Sequence, residues 1–262
     1  MVTRRIVNVK RIRTRNIGDL KSSPFEYWNK LPVVSIEDCL SPRNRRLLDN
    51  AKLVIFGGGG LLNYPKWDVH LKCLVDKYAE KTVVWGAGTN LHDGDKRNAD
   101  KFLDKFAMVG IRDYGTKYEY IPCPSCLSSV FDRLTKEECY KGGMGIIENV
   151  GWTQKIKELI PGIRKIKNAN MPFMALVRFI LSKDLIITNS YHCVYWSILC
   201  RVPVVGIRTT DKFDYLKYPV PVMRHDNWDE MIGYREIFMG ILEESRKLNL
   251  DFMNEIKNKY FK

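Results

Sequence analysis

The sequence predicts an α/β protein of two similar lobes, each a parallel sheet flanked by helices, facing a central cleft. Three observations predict it. Short, wholly apolar runs alternate with segments of helical spacing. Glycine-rich or polar turns follow those runs directly. A stretch of different texture, residues 121–145, with Pro122, Pro124, Gly142, Gly143 and Gly145, separates two copies of the alternation.

The elements follow in order. Ile6–Val9 reads as a first strand, closed by the turn Asn16-Ile17-Gly18-Asp19. Residues 20–30 read as helix or irregular chain. Lys52–Phe56 is a short buried strand, and Gly57-Gly58-Gly59-Gly60 follows at once. Leu71, Leu74, Val75, Tyr78 and Ala79 repeat at helical spacing over 71–80. Thr82–Trp85 is a second buried strand, ended by Gly86-Ala87-Gly88. Asp100–Phe106 reads as a helix, and Met108–Ile111 as a third strand before Arg112-Asp113. Beyond the break, Gly145–Val150 is a strand and Thr153–Leu159 and Met171–Leu181 are helices. Asp184–Thr188 is a buried strand followed by Asn189-Ser190-Tyr191-His192. Cys193–Cys200 reads as a helix and Val202–Ile207 as the last strand. The expected division is an N-terminal Rossmann-like lobe over 1–125 and a C-terminal one over 126–227. A helical tail over 228–262, with Ile237, Ile241 and Leu242 on one face, is able to pack back on the first lobe.

The chain carries 43 Lys and Arg against 30 Asp and Glu, a formal net charge of +13. Such a balance favours an acidic substrate, an anionic membrane surface or nucleic acid. Residues 1–15 hold Arg4, Arg5, Lys10, Arg11, Arg13 and Arg15 and no acid, which is either a solvated basic edge or a contact for anionic lipid. No basic helix interleaved with aromatics and no zinc-finger or helix-turn-helix pattern appears, so nucleic acid is not expected. The basic, polar start and seven cysteines point to a reduced cytoplasmic protein, peripheral at most to the inner face of the membrane.

Chemistry is expected at the turns, since parallel sheets bind ligands at the carboxyl ends of their strands. Backbone N–H groups of Gly58, Gly59 and Gly60, with Asn63 nearby, can hold an oxyanion; a tight turn needing positive φ is the alternative. The pattern lacks the Lys-Ser/Thr of a P-loop and the spacing of a dinucleotide fingerprint. Gly86, Gly88 and Asn90 form a second glycine turn at the same expected sheet edge. Arg112 can grip a phosphate or carboxylate through paired N–H donors, or else make a surface ion pair with Asp113. His192 follows a buried strand and opens a helix, where it can reach the site, the helix dipole disfavouring the imidazolium and a nearby anion favouring it; a helix-capping or core-satisfied histidine is the alternative. His70, His92 and His225 lack this context. Lys212, just past the last strand, either adds charge to the site or is a solvated loop lysine. Cys123 and Cys126 have metal-like or redox-like spacing, but no matching second pair exists, so packing is the preferred reading.

Five motifs in order resemble the polysaccharide pyruvyl transferases. They are Asn16-Ile17-Gly18-Asp19, Phe56-Gly57-Gly58-Gly59-Gly60-Leu61-Leu62, Trp85-Gly86-Ala87-Gly88, Gly110-Ile111-Arg112-Asp113, and Thr188-Asn189-Ser190-Tyr191-His192 with its continuation to Val205. The resemblance implies a two-lobed fold of the GT-B kind. It implies ketal transfer of pyruvate from phosphoenolpyruvate to two hydroxyls of a sugar, on a polysaccharide or lipid-linked oligosaccharide precursor, without a further cofactor. It implies His192 as general acid or base and Arg112 as a ligand of the donor. Asn16, Gly18, Asp19, Ser190 and Tyr191 fall in its motifs as substrate-binding positions. Many members carry Arg two residues before the histidine; Ser190 stands there, so that charge is absent or comes from Lys212 or Arg208. A sugar-nucleotide glycosyltransferase on the same scaffold is the alternative function.

Overall fold

Two sheets carry the chain, and within each the strands of the computed structural model pair in parallel. The structure describes residues 5–28, 32–91, 98–149, 163–223 and 233–261. The helix expected over 153–159, and His92 and His225, lie outside the described residues. The chain divides into two compact units. The first is Met1–Thr14, Asp19–Leu127 and Ser245–Lys262; the second is Arg15–Gly18 and Ser128–Glu244.

The first unit holds β1 (Arg5–Lys10), β2 (Val33–Ser35), β3 (Ala51–Phe56), β4 (Gly59–Leu62), β5 (Thr82–Thr89), β6 (Met108–Ile111) and β7 (Glu119–Tyr120). Their order is β2-β1-β3-β5-β6-β7, with β4 also on β5. All eight residues of β5 are buried, as expected of a parallel strand covered on both faces. Side chains of β3 alternate between two cores. Val54 and Phe56 join Val84 and the helix Pro65–Tyr78, which starts on a proline and buries Trp67, Leu71, Leu74, Val75 and Tyr78. Leu53 and Ile55 join Val83, Trp85, Trp28, Phe252 and Ile256.

Phe252 and Ile256 belong to the helix Ile241–Tyr260. It starts after the amphipathic reading places it, behind Gly240 at φ 74°, and Ile237 lies ahead of it, exposed. The buried row is Ile241, Ser245, Asn249, Phe252 and Ile256, at spacings of four, four, three and four. Asn249 is fully buried. Its Oδ1 accepts from Trp85 Nε1 at 2.8 Å, and its Nδ2 donates to the Pro122 carbonyl at 3.1 Å.

The second unit holds β8 (Met144–Glu148), β9 (Arg164–Lys167), β10 (Leu185–Thr188), β11 (Val204–Ile207) and β12 (Val222–Met223), in the order β12-β11-β10-β8-β9. Ile146, Leu185, Ile187, Val205, Ile207 and Met223 form a core on this sheet. The helices Phe173–Leu181 and Tyr191–Leu199 follow β9 and β10. Each unit is thus Rossmann-like, as the alternation predicts. Among the described residues no helix is long and apolar enough to cross a membrane.

Replacing Asn249 by Ala strands a buried Trp85 N–H and a buried carbonyl, so the variant is expected to lose about 2–4 kcal/mol of stability. Urea denaturation followed by tryptophan fluorescence measures it. A midpoint equal to that of the parent chain would contradict the role given to this hydrogen-bonded pair.

Candidate functional site

In the first unit the four glycines are not one open turn. The chain leaves β3 at Gly57, whose N–H donates to the Val9 carbonyl at 3.1 Å. Gly58 adopts φ 91°, and a Cβ there would overlap the Ser22 carbonyl. Only glycine meets both conditions. Gly59 and Gly60 then sit inside β4, beside Ala87 and Gly88 of β5. Packing geometry accounts for Gly57 and Gly58. Likewise Gly86-Ala87-Gly88 does not end a strand. It lies within β5, where the register to β6 shifts between Trp85 and Ala87.

Arg112 follows β6 and is 2% exposed; Asp113 is 4% exposed. Neither is a surface residue. The Arg112 N–H donates to the Ala87 carbonyl at 2.9 Å, and Asp113 Oδ2 accepts from the Thr89 N–H at 2.6 Å. The guanidinium lies along Gly88, where a Cβ would overlap its Nε. A Cβ on Gly60 would meet Asn90 at 3.1 Å and Arg112 Nη2 at 3.6 Å. The fold thus brings Gly60, Gly88, Asn90 and Arg112 together. Asn63, at φ 55°, donates from Nδ2 to Thr89 Oγ1 at 3.1 Å. Asp19 accepts from Arg11 at 2.9 Å, and its Oδ1 lies 3.2 Å from where a Gly59 Cβ would be.

Cys123 and Cys126 are fully buried. Burial pushes the Cys123 thiol up, against the pull of Arg112 and of Ser125. A thiol held protonated is a poor metal ligand and a poor nucleophile. Among the described residues no group of three His, Cys, Asp or Glu is placed to hold a metal ion.

In the second unit the site is built on asparagines. Asn16 Oδ1 accepts from the Gly18 N–H at 2.8 Å and from Asn168 Nδ2 at 3.2 Å, while its Nδ2 donates to Asn149 Oδ1 at 2.8 Å. Asn168 Nδ2 also donates to Ser190 Oγ at 3.0 Å. Ser190 caps the helix Tyr191–Leu199, accepting from the Cys193 N–H at 3.4 Å, and its own N–H donates to Thr188 Oγ1 at 3.1 Å. This is a physical account of serine at that position: the residue is an N-cap, fixed from both sides.

His192 is then held on three sides. Its ring lies edge-on to Tyr191 at 5.7 Å and tilted against Trp196 at 5.7 Å. Its Nδ1 occupies the space a Gly18 Cβ would need. That close approach explains Gly18 without invoking a ligand. Lys212 is not a solvated loop residue. It is 6% exposed on the short helix Asp211–Phe213. Burial pushes the neighbouring Cys193 thiol up to about 12, and the Lys212 charge is near enough to oppose the shift. Arg208 is paired with Asp214, at 2.7 Å for the second of two contacts.

Residue-level reading missed Asn149, Asn168 and Glu148. The signal was present: an asparagine follows each of β8, β9 and β10 directly, at 149, 168 and 189. His70, given no role, contacts Cys39 Sγ through Nδ1 at 3.1 Å in the first unit.

Comparison with known proteins gives three results. The family model for polysaccharide pyruvyl transferase matches residues 4–211 of the 262. No curated protein matches significantly. Among solved structures, the chain is similar to a protein of uncharacterised function from Klebsiella pneumoniae subsp. pneumoniae NTUH-K2044. The identity is 12% and the TM-score 0.49, over 82% of this chain and 87% of that one. The family match spans both units and every motif from Asn16 to Val205, and the chain belongs to the polysaccharide pyruvyl transferase family.

Proposed function

We propose that this member moves pyruvate from phosphoenolpyruvate, as a ketal, onto two hydroxyls of one sugar in a polysaccharide or lipid-linked oligosaccharide precursor. The family match over residues 4–211 carries the reading. The buried Arg112 and the buried, fixed His192 supply chemistry that suits it.

The reaction needs a proton on C3 of the enol, which leaves a cationic C2. One sugar hydroxyl adds to C2 and gives up its proton. The C2–O bond to phosphate breaks, phosphate departs with a proton, and the second hydroxyl closes the ring and gives up its own. His192 is the acid or base in this reading, a contribution worth roughly 10²–10⁴ in rate. A guanidinium offers paired donors to phosphate or carboxylate oxygens, and Arg112 is assigned that task. Gly60, Gly88 and Asn90 line the guanidinium, and Lys212 adds positive charge near the start of the helix that carries His192. Gly18 and Tyr191 pack against that histidine, while Asn16 anchors the Gly18 N–H and Ser190 caps the helix that carries the histidine. The charge of +13 supports work beside anionic lipid carriers at the inner membrane face.

Replacing His192 by Ala is expected to lower ketal transfer at least about 100-fold, read by mass spectrometry of acceptor glycans mixed with phosphoenolpyruvate. Near-parental turnover by a folded variant would remove His192 from the chemistry. For Arg112→Ala, the donor KM should rise about tenfold or more. Gly88→Ala, which crowds the guanidinium, should shift the same constant in the same direction; unchanged donor kinetics in both would take Arg112 out of the site. In thermal-shift measurements phosphoenolpyruvate should stabilise the protein. Stabilisation by UDP or GDP sugars instead would favour a glycosyltransferase.

A further inference from the structure

The sheet of the second unit reverses its strand order between β8 and β10. β9 lies on one side of β8, and β10, β11 and β12 lie on the other. In open α/β sheets, ligands bind outside the carboxyl ends of the strands at such a reversal.

Three side chains end the strands there. Glu148 is the last residue of β8, Asn168 follows β9 and Asn189 follows β10. They are 2%, 0% and 1% exposed. Each keeps one buried polar atom without a hydrogen-bond partner among the described residues: Glu148 Oε1, Asn168 Oδ1 and Asn189 Nδ2. The rest of both amides is engaged. Asn168 Nδ2 donates to Asn16 and Ser190, and Asn189 Oδ1 accepts from the Asn149 N–H at 2.7 Å. These bonds fix which end of each amide is left over. Buried polar atoms are nearly always paired, so three unmet ones at a strand reversal point to a ligand.

Their chemistry narrows its class. Two acceptors and one donor do not suit a metal ion, which the amide N–H₂ would repel. They do not suit an anion, which an acidic side chain disfavours. A pair of neighbouring hydroxyls suits them, because each hydroxyl donates once and also accepts. We propose that Glu148, Asn168 and Asn189 form a hydroxyl-binding subsite that takes two neighbouring hydroxyls of a neutral sugar. That the sugar is the acceptor of ketal transfer rests on the function proposed above. The Asn168–Ser190 bond ties the subsite to the segment that carries His192, two residues on.

The test uses the full chain without donor. Saturation-transfer NMR is run with methyl glycosides of glucose, galactose and mannose, and with their fully O-methylated forms, in which no hydroxyl can donate. At least one free glycoside should bind, and its blocked form should not. Glu148→Gln, which keeps the shape, and Asn189→Ala should each weaken that binding about tenfold or more. Both should keep the parental thermal shift with phosphoenolpyruvate. Absence of binding by every free glycoside, equal binding of blocked and free forms, or parental affinity in both variants overturns the subsite. Sugar binding that depends on Glu148 without any phosphoenolpyruvate shift would leave the subsite standing and sink the donor reading. The reverse pattern would do the opposite.

Discussion

Parallel pairing is the constraint from which the rest follows. A parallel strand is covered on both faces, so its side chains are committed to the core. β5 shows the extreme, with eight buried residues in a row. Chemistry can then emerge only where strands end, and all strands of a parallel sheet end on the same edge. The polar groups gathered there are themselves buried and must find partners. Asp113 finds one in the Thr89 N–H, and Ser190 finds two, in Asn168 and the Cys193 N–H. A network of this kind holds side chains still before any ligand arrives, which is what a positioned acid or a guanidinium ligand requires.

The alternation of apolar runs and helical spacing made the strands legible where burial is complete. β3, β5, β6, β8, β10 and β11 were readable because every residue or nearly every residue is apolar. β9 was not, since Arg164-Lys165-Ile166-Lys167 is half-exposed and basic, and β2 and β12 are too short for a period to show. The glycine runs misled in a specific way. Glycines inside a strand read as a turn, yet Gly59, Gly60, Gly86 and Gly88 lie in the ladder, because neighbours press against the backbone there. The C-terminal helix was visible, and Ile241 with it, but the polar part of its buried row was not. Asn249 and Ser245 belong to it, and polar residues that serve buried hydrogen bonds look like a solvent face in sequence.

The site shows the same division. Arg112, Lys212 and His192 were found as residue types after strands. Their burial was not readable, and it changes their meaning: a buried cation costs free energy unless something compensates it, a requirement that a solvated lysine does not carry. Ser190 is the instructive case. Read as a missing arginine, it is a loss of donor charge. Seen in the fold, it is a helix cap bound to Asn168, so the position is occupied by a structural task.

In the proposed reading, charge sign sorts the ligands between the strand ends. The end of β6 holds a buried guanidinium with glycine on two sides and Asp113 beside it, the carboxylate tied to the Thr89 N–H, and paired guanidinium donors suit an anion better than a neutral polyol. The ends of β8, β9 and β10 present an acid and two amides, where the preference is inverted. Ketal transfer joins a highly charged donor to an uncharged pair of hydroxyls, so an enzyme for it needs both kinds of environment and must keep them chemically distinct. Substituting an arginine for Ser190 would place a cation beside Asn168 and break the cap. On this argument the serine keeps a second cation away from Asn168, and in the proposed reading anion recognition falls to Arg112.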